Sequence, residues 1–217
     1  MAETTPAVVF AGGEPESSSV LGSIPDDRLV IAADSGLSTA RRLGIRVDLI
    51  VGDLDSADPA DVDGAVADGA AVERHPAAKD ATDLELALEA ARTRGLAPAI
   101  VVGGGSLDRI DHFMANALLL ADPRFATLRP QWFVQGAHVI AVHDRAVFSG
   151  DPGDVVTLLA VGGPAVGVRT TGLRWVLREA RLDPGSTRGV SNEMTADEAT
   201  VALDDGVLLA IHVRRPA

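Results

Sequence analysis

Four short apolar runs, each halted by glycine or aspartate, constrain this chain more than any other feature. They are AVVFAGG (Ala7–Gly13), LVIAADSG (Leu29–Gly36), LIVGDLDS (Leu49–Ser56) and AIVVGGG (Ala99–Gly105). A strand that is apolar on both faces has to be covered on both faces, which is the condition of a parallel sheet flanked by helices. Helical segments fall where such a sheet needs them. LSTARRLG closes at Gly44. ATDLELALEAARTRG (Ala81–Gly95) repeats Leu84, Leu88 and Ala91 at helical spacing. Asp83 and Glu85 lie in its first turns, Arg92 and Arg94 in its last, and Gly95 stops it. IDHFMANALLLA (Ile110–Ala121) is a second helix, and AVERHP a weaker strand.

The pattern changes near DPRFATLRPQ. Beyond it come only short β-rich runs punctuated by Gly, Pro and Asp: HVIAVHD, AVFSG, DVVTLLAV, AVGVRTTG, ATVALDDG and VLLAIHVRR. Asp204–Gly206, between two apolar runs, carries a hairpin signal. The expected fold class is α/β: a parallel-sheet, Rossmann-like N-terminal domain over residues 1–126, then a smaller all-β sandwich or barrel over residues 131–217.

Composition narrows the function. A net charge of −12 repels phosphate backbones and anionic lipid, so nucleic acid and membranes are not expected partners. The chain has no cysteine, which removes disulfides, thiolate metal sites and cysteine nucleophiles. MAETTPAVVFAGG lacks a basic leader region, and FMANALLLA is too short to span a bilayer, so a cytoplasmic location is the expectation.

In open parallel sheets, ligands bind beyond the carboxyl ends of the strands. Those ends carry Gly12 and Gly13; Asp34, Ser35 and Gly36; Gly52, Asp53, Asp55 and Ser56; and Gly103, Gly104 and Gly105, followed by Arg109, Asp111 and His112. Lys79, Asp80, Thr82 and Asp83 precede the first strong helix. Converging aspartates repel one another unless a cation lies between them. Magnesium takes oxygen ligands and is commonly shared between carboxylates and substrate phosphates. Glycines admit phosphate oxygens to backbone N–H groups, and Lys79 and Arg109 can neutralise a transferring group. Together these features point to Mg-nucleotide binding. Taken singly, each has a plainer reading. A D-x-D after a strand serves as a turn or cap more often than as a metal site, Asp83 serves equally as a helix N-terminal charge, and His112 as a cap.

In order along the chain, AADSG, GDLDS, KDATDLELAL, DRIDHFMANALLL, TTGLRWVL (Thr170–Leu177) and GSTRGVSNE (Gly185–Glu193) resemble the segments of the thiamine pyrophosphokinase family. Asp108 departs from that pattern, standing where the family usually has glycine. The resemblance implies an α/β nucleotide domain, a β-sandwich domain and a homodimer, with thiamine bound between the α/β domain of one subunit and the β domain of the other. It implies Mg-dependent transfer of pyrophosphate from ATP to the hydroxyethyl oxygen of thiamine, giving thiamine diphosphate and AMP. Asp53, Asp55 and Asp83 would then hold Mg²⁺, and Asp111 or a cluster carboxylate would orient or deprotonate the hydroxyl. Gly12, Gly13, Asp34, Lys79, Gly104, Arg109 and His112 would face the nucleotide. Ser191 and Asn192 would hydrogen-bond the aminopyrimidine, Trp175 would stack on a thiamine ring, and Ser186 and Arg188 would belong to the same loop. For Trp175 the residues alone favour a place in the sandwich core. Two rivals stand beside this reading: a haloacid-dehalogenase-type phosphatase with Asp53 as nucleophile, and a nucleotide- or thiamine-binding module without chemistry.

Overall fold

The computed structural model describes residues 4–14 and 16–215, so residues 1–3, 15 and 216–217 of the two expected domains lie outside it. The chain divides into two compact units, residues 1–119 with 127–135, and residues 120–126 with 136–217. No helix among the described residues is long and apolar enough to cross a membrane.

The first unit is built on parallel strands β1 (Ala7–Ala11), β2 (Leu29–Ala33), β3 (Leu49–Gly52), β4 (Ala71–Arg74), β5 (Ala99–Gly103) and β6 (Gln131–Val134). Their order is β6-β5-β1-β2-β3-β4, every neighbouring pair parallel. Helices α1 (Gly36–Arg42), α2 (Pro59–Ala67), α3 (Asp83–Thr93) and α4 (Ile110–Leu120) connect them. All five residues of β1 and of β5 are buried, which is why their sequences show no alternation. Phe10, Leu37, Ile50, Val8 and Val102 form part of a core shared by sheet and helices. Along α4, Ile110, Met114 and Leu118 remain exposed, as does Leu107 just before it.

Residues 131–134, expected at the start of the second domain, instead form β6 and pair with β5 through Val101↔Trp132. The helix α2 carries little signal in the sequence. Only Val62 and Ala65 of its residues are buried, so its apolar stripe is faint. Its start is set chemically: the Asp58 carboxylate accepts the Ala60 N–H, and Pro59 opens the helix.

The second unit holds strands β7 (Ala137–Val142), β8 (Arg145–Ser149), β9 (Val155–Ala160), β10 (Ala165–Thr171), β11 (Ala180–Leu182), β12 (Asn192–Glu193), β13 (Glu198–Ala202) and β14 (Leu208–Val213). They form antiparallel groups β12-β9-β14-β7 and β11-β10-β13-β8. One apolar cluster draws on both, with Phe148, Leu158, Val168, Leu182 and Val201 among its members. The alternation of buried and open positions along β8 is the signature of a strand covered on one face.

Asp204–Gly206 does not close a hairpin. β13 pairs with β8 and β10, whereas β14 pairs with β7 and β9, so the turn passes from one sheet to the other. The reason lies in what the turn bonds to. Asp204 takes the Arg169 guanidinium on both carboxylate oxygens, and its N–H donates to the Val166 carbonyl, which draws the turn to the start of β10.

Candidate active site

The cleft of the first unit lies at the carboxyl ends of β1, β2, β3 and β5 and has a volume of about 440 Å³. Gly12, Gly13, Asp34, Asp53, Lys79 and Asp83 line it, together with Asp55, Gly104, Arg109 and His112. Ser35, Ser56, Thr82, Ser106 and Asn116 also line it.

Each acidic group arrives by a different route. Asp34 follows β2 with φ 46°, a left-handed conformation that aspartate adopts more readily than most residues. Asp53 follows β3. Asp83 opens α3, whose cap is Thr82: its hydroxyl accepts the Glu85 N–H at 3.2 Å. One ligand oxygen from each of Asp34, Asp53 and Asp83 lies within 4.8 Å of the others. Gly52 permits that approach. Its φ is 147°, and a Cβ there would stand 2.9 Å from Asp83 Oδ1 and 3.3 Å from Asp34 Cβ.

Asp55 lines the cleft without joining this cluster. Leu54, between the two aspartates, has φ 64°, and the chain turns there. Asp55 then donates its N–H to Asp53 Oδ1 at 3.3 Å, and its own carboxylate accepts the Ser56 hydroxyl at 2.9 Å. The oxygen set that geometry offers a cation is therefore Asp34, Asp53 and Asp83, in place of the expected Asp53, Asp55 and Asp83.

Lys79 supplies the positive charge within the cluster. Its Nζ lies 2.8 Å from Asp53 Oδ2 and 2.8 Å from Asp83 Oδ1. The hydrogen bond from Lys79 holds the Asp53 carboxyl below its ordinary range. Burial acts to lower the Lys79 ammonium, but Asp53 and Asp83 together outweigh it and raise it. Asp34 moves the other way. Burial pushes its carboxyl up, the charges of Asp83 and Asp53 add to the rise, and bonds from Ser35 and Ser56 only partly offset it. Asp34 Oδ1 is buried with no hydrogen-bond partner among the described residues. An orphaned carboxylate oxygen beside two further carboxylates fits a hard divalent cation, which takes oxygen ligands.

Arg109 and His112 reach the cleft, whereas Asp111 is absent from its lining. Both Asp111 oxygens are engaged by Arg109, Nε to Oδ1 at 3.1 Å and Nη2 to Oδ2 at 3.0 Å. That fork holds the Asp111 carboxyl down at about 2. The fork and the place of Asp111 outside the cleft lining set it to orient Arg109. Asp108 is exposed, and its N–H donates to the Ser106 hydroxyl at 3.2 Å.

In the second unit Trp175 is 54% exposed, so it is not part of the core. The Arg174 guanidinium lies 5.1 Å from its ring centre and pairs with Glu193 at 2.9 Å. Asn192 is buried, and its amide is already committed. Oδ1 accepts the Trp175 N–H at 3.0 Å and the Glu193 N–H at 2.9 Å, while Nδ2 donates to the Trp175 carbonyl at 2.8 Å. The side chain expected to bind a ligand thus holds Trp175 in place. Ser191 has φ 58° and donates its N–H to the Thr157 hydroxyl, and the Ser186 hydroxyl accepts the Arg188 N–H.

Comparison with known proteins matches both halves of the chain to one family. Residues 23–130 match the family model described as thiamin pyrophosphokinase, catalytic domain, and residues 137–208 match that described as thiamin pyrophosphokinase, vitamin B1 binding domain. A curated relative, thiamine pyrophosphokinase 2 of rice (Oryza sativa subsp. japonica), is 31% identical over 118 residues, 53% of this chain. That match spans 44% of the rice protein's length. The fold is shared with thiamine pyrophosphokinase from Bacillus subtilis, with a TM-score of 0.83 at 24% identity over 98% of this chain and 100% of that one. It is shared also with thiamin pyrophosphokinase from Candida albicans, with a TM-score of 0.78 at 11% identity over 97% and 89% of the two chains. With a catalytic-domain match followed in series by a vitamin B1-binding match, the chain belongs to a family of enzymes, the thiamin pyrophosphokinases.

Proposed function

We propose that this chain transfers a pyrophosphoryl group from ATP to thiamine. The observation that carries the reading is the meeting of Asp34, Asp53 and Asp83 within 4.8 Å at a glycine-lined cleft. Asp34, Asp53 and Asp83 would hold Mg²⁺. When bound, the ion supplies charge neutralisation to a polyphosphate and fixes its orientation. Gly12, Gly13 and Gly104 offer the close backbone approach that phosphate oxygens need. Arg109, aligned by Asp111, presents its guanidinium at the cleft as a counter-charge for the group in transfer. His112 lines the same edge.

In the reaction the thiamine hydroxyl oxygen forms a bond to the β-phosphorus, the bond from that phosphorus to the oxygen shared with the α-phosphorus breaks, and AMP leaves. The hydroxyl proton passes to a carboxylate of the Asp34–Asp53–Asp83 group. Phosphoryl transfer depends on placement and charge neutralisation more than on a strong base, which suits a site without a dedicated one. Trp175, exposed and held by Asn192, offers an aromatic face to a ring of the acceptor. Ser186, Arg188 and Ser191 border the same loop and are read as shaping it.

We propose a homodimer with cytoplasmic residence. The exposed apolar residues of α4 support the dimer, since a second copy would cover them.

The test is direct. The protein is incubated with Mg-ATP, with and without thiamine, and the products are separated. AMP and thiamine diphosphate formed in equal amounts, only when thiamine is present, are expected. Thiamine-independent phosphate release from a monoester, or ADP as the product, would refute the reading.

A further inference from the structure

The glycine loop after β5 is gripped by three side chains from separate places in the first unit, one of which, Asn116, itself lines the cleft. The Trp132 indole N–H donates to the Gly103 carbonyl at 2.6 Å. The Asn116 amide donates to the Gly104 carbonyl at 2.9 Å. The Gln135 amide donates to the Gly105 carbonyl at 2.8 Å. Three consecutive carbonyl oxygens are thus each taken by a side-chain N–H, one from β6, one from α4 and one from the turn after β6. Trp132 is 1% exposed and packs on Phe113, with ring centres 5.2 Å apart, so its donor is rigidly placed. Gln135 has φ 51°, and its own N–H is tied to Glu16 at 3.0 Å.

A trans peptide plane points its carbonyl and the following N–H in opposite directions. Holding the Gly103 carbonyl therefore fixes the Gly104 N–H, which donates to the Gly12 carbonyl at 2.7 Å and joins the two glycine loops of the cleft. Holding the Gly104 and Gly105 carbonyls fixes the N–H groups of Gly105 and Ser106 on the opposite side. Neither of these N–H groups takes an acceptor among the described residues. A carbonyl oxygen turned toward the cleft would repel a phosphate, whereas an N–H turned toward it attracts one. The loop cannot adopt this form with larger residues. A Cβ on Gly103 would lie 2.6 Å from the Ala11 carbonyl oxygen, and one on Gly105 would lie 2.0 Å from Val134 Cγ2.

We propose that Trp132, Asn116 and Gln135 are positioning residues that hold the Gly103–Gly105 loop with the N–H group of Ser106, which lines the cleft, presented to the phosphate chain of a nucleotide. The assignment rests on the nucleotide reading of the cleft given above. Trp132 and Gln135 act through the loop alone, whereas Asn116 also lines the cleft.

The test uses W132F, which keeps an aromatic ring but removes the indole donor together with part of the buried ring volume, with N116A and Q135A. Each is compared with the wild type in steady-state kinetics and in calorimetric titration with Mg-ADP. The expected result is a rise of roughly tenfold in KM for Mg-ATP and in Kd for Mg-ADP, the loss expected for misplacing a backbone donor to a charged oxygen. The KM for thiamine should stay within about twofold, because the acceptor is not held by this loop. Gln135 is at the surface, so Q135A keeps the test decisive if a buried variant does not fold. Unchanged nucleotide affinity in a folded W132F or Q135A overturns the proposal while leaving the activity standing. Equal weakening of nucleotide and thiamine overturns it as well, since that is the mark of general loosening. A wild type that binds neither ATP nor ADP removes the nucleotide reading and this one with it.

Discussion

Replacing Asp34 by asparagine separates the metal role of the carboxylate cluster from its cost to the fold. Asp34 is 7% exposed, Oδ1 has no hydrogen-bond partner among the described residues, and burial, with the charges of Asp83 and Asp53, acts against its ionised form. A buried acceptor left unmet costs about 1–3 kcal/mol. Asparagine keeps the size, tolerates the φ of 46°, and turns a donor toward two carboxylates. We expect D34N to be more stable than the wild type in metal-free buffer by about 1–3 kcal/mol, at roughly 2–4 °C in Tm per kcal/mol for a chain of this size. The sign with pH follows from the raised carboxyl. Ionising Asp34 costs the folded state, so the advantage of D34N is full above the raised value and fades as pH falls through it toward the ordinary 3.8. Magnesium should reverse the ranking. A wild type in about hundredfold excess of ion over Kd gains about 2.7 kcal/mol, and D34N, short of one ligand, gains much less. The assay is urea unfolding with and without magnesium, paired with turnover, which D34N should lose. A D34N that is less stable without metal, or that gains as much from magnesium as the wild type, refutes the assignment of Asp34 as a ligand.

Further outcomes follow from other parts of the molecule. D111N should lower turnover by less than about tenfold, because Asp111 lies outside the cleft lining and acts through Arg109; a loss of about 10²–10⁴-fold would make it a general base. W175A should raise the KM for thiamine roughly fivefold to thirtyfold, the equivalent of about 1–2 kcal/mol of aromatic contact with a cationic ring, with KM for ATP unchanged. N192A should give the same split, because Asn192 holds the Trp175 backbone on both sides. In the second unit, buried Asp154 accepts from His212 Nε2 at 2.8 Å, the Arg215 N–H at 2.9 Å and the Asp151 N–H at 3.1 Å, so D154A should cost about 3–5 kcal/mol in denaturant unfolding. Burial alone would raise the Asp154 carboxyl, but those bonds outweigh it and depress it. Its contribution is therefore present above the ordinary 3.8 and lost as pH falls through the depressed value, an acid limb that D154A should lack.

What could be read from the residues alone follows from how local each signal is. β1, β2, β3 and β5 are continuous apolar runs because both faces of each are covered, and nothing distant is needed to see that. Their ends could be read for the same reason, so the glycines and aspartates of the cleft were found without knowing how the strands are ordered. β6 was missed because four residues between Pro130 and Gln135 carry too little pattern to outweigh a nearby change in composition. α2 was missed because its stripe is weak, although the Asp58–Pro59 pair that caps it was in plain view.

The aspartate pairing shows where local spacing stops informing. D-x-D reads as two ligands, but spacing constrains only the length of chain between carboxylates, and the direction of each depends on the dihedrals between them. Leu54 at φ 64° sends Asp55 to Ser56, and the third oxygen comes from Asp34, which only the pairing of β2 with β3 brings near. The same holds for the loop behind the phosphate edge. A tryptophan in a short strand carries no mark that its indole meets a glycine carbonyl far along the chain, and Asn116 looks like one polar residue in an apolar helix. A polar side chain that must be buried beside a glycine-rich turn needs a partner, and the unmet carbonyls of that turn are the partners at hand. Asn116, buried in α4 beside the Gly103–Gly105 turn, meets that condition.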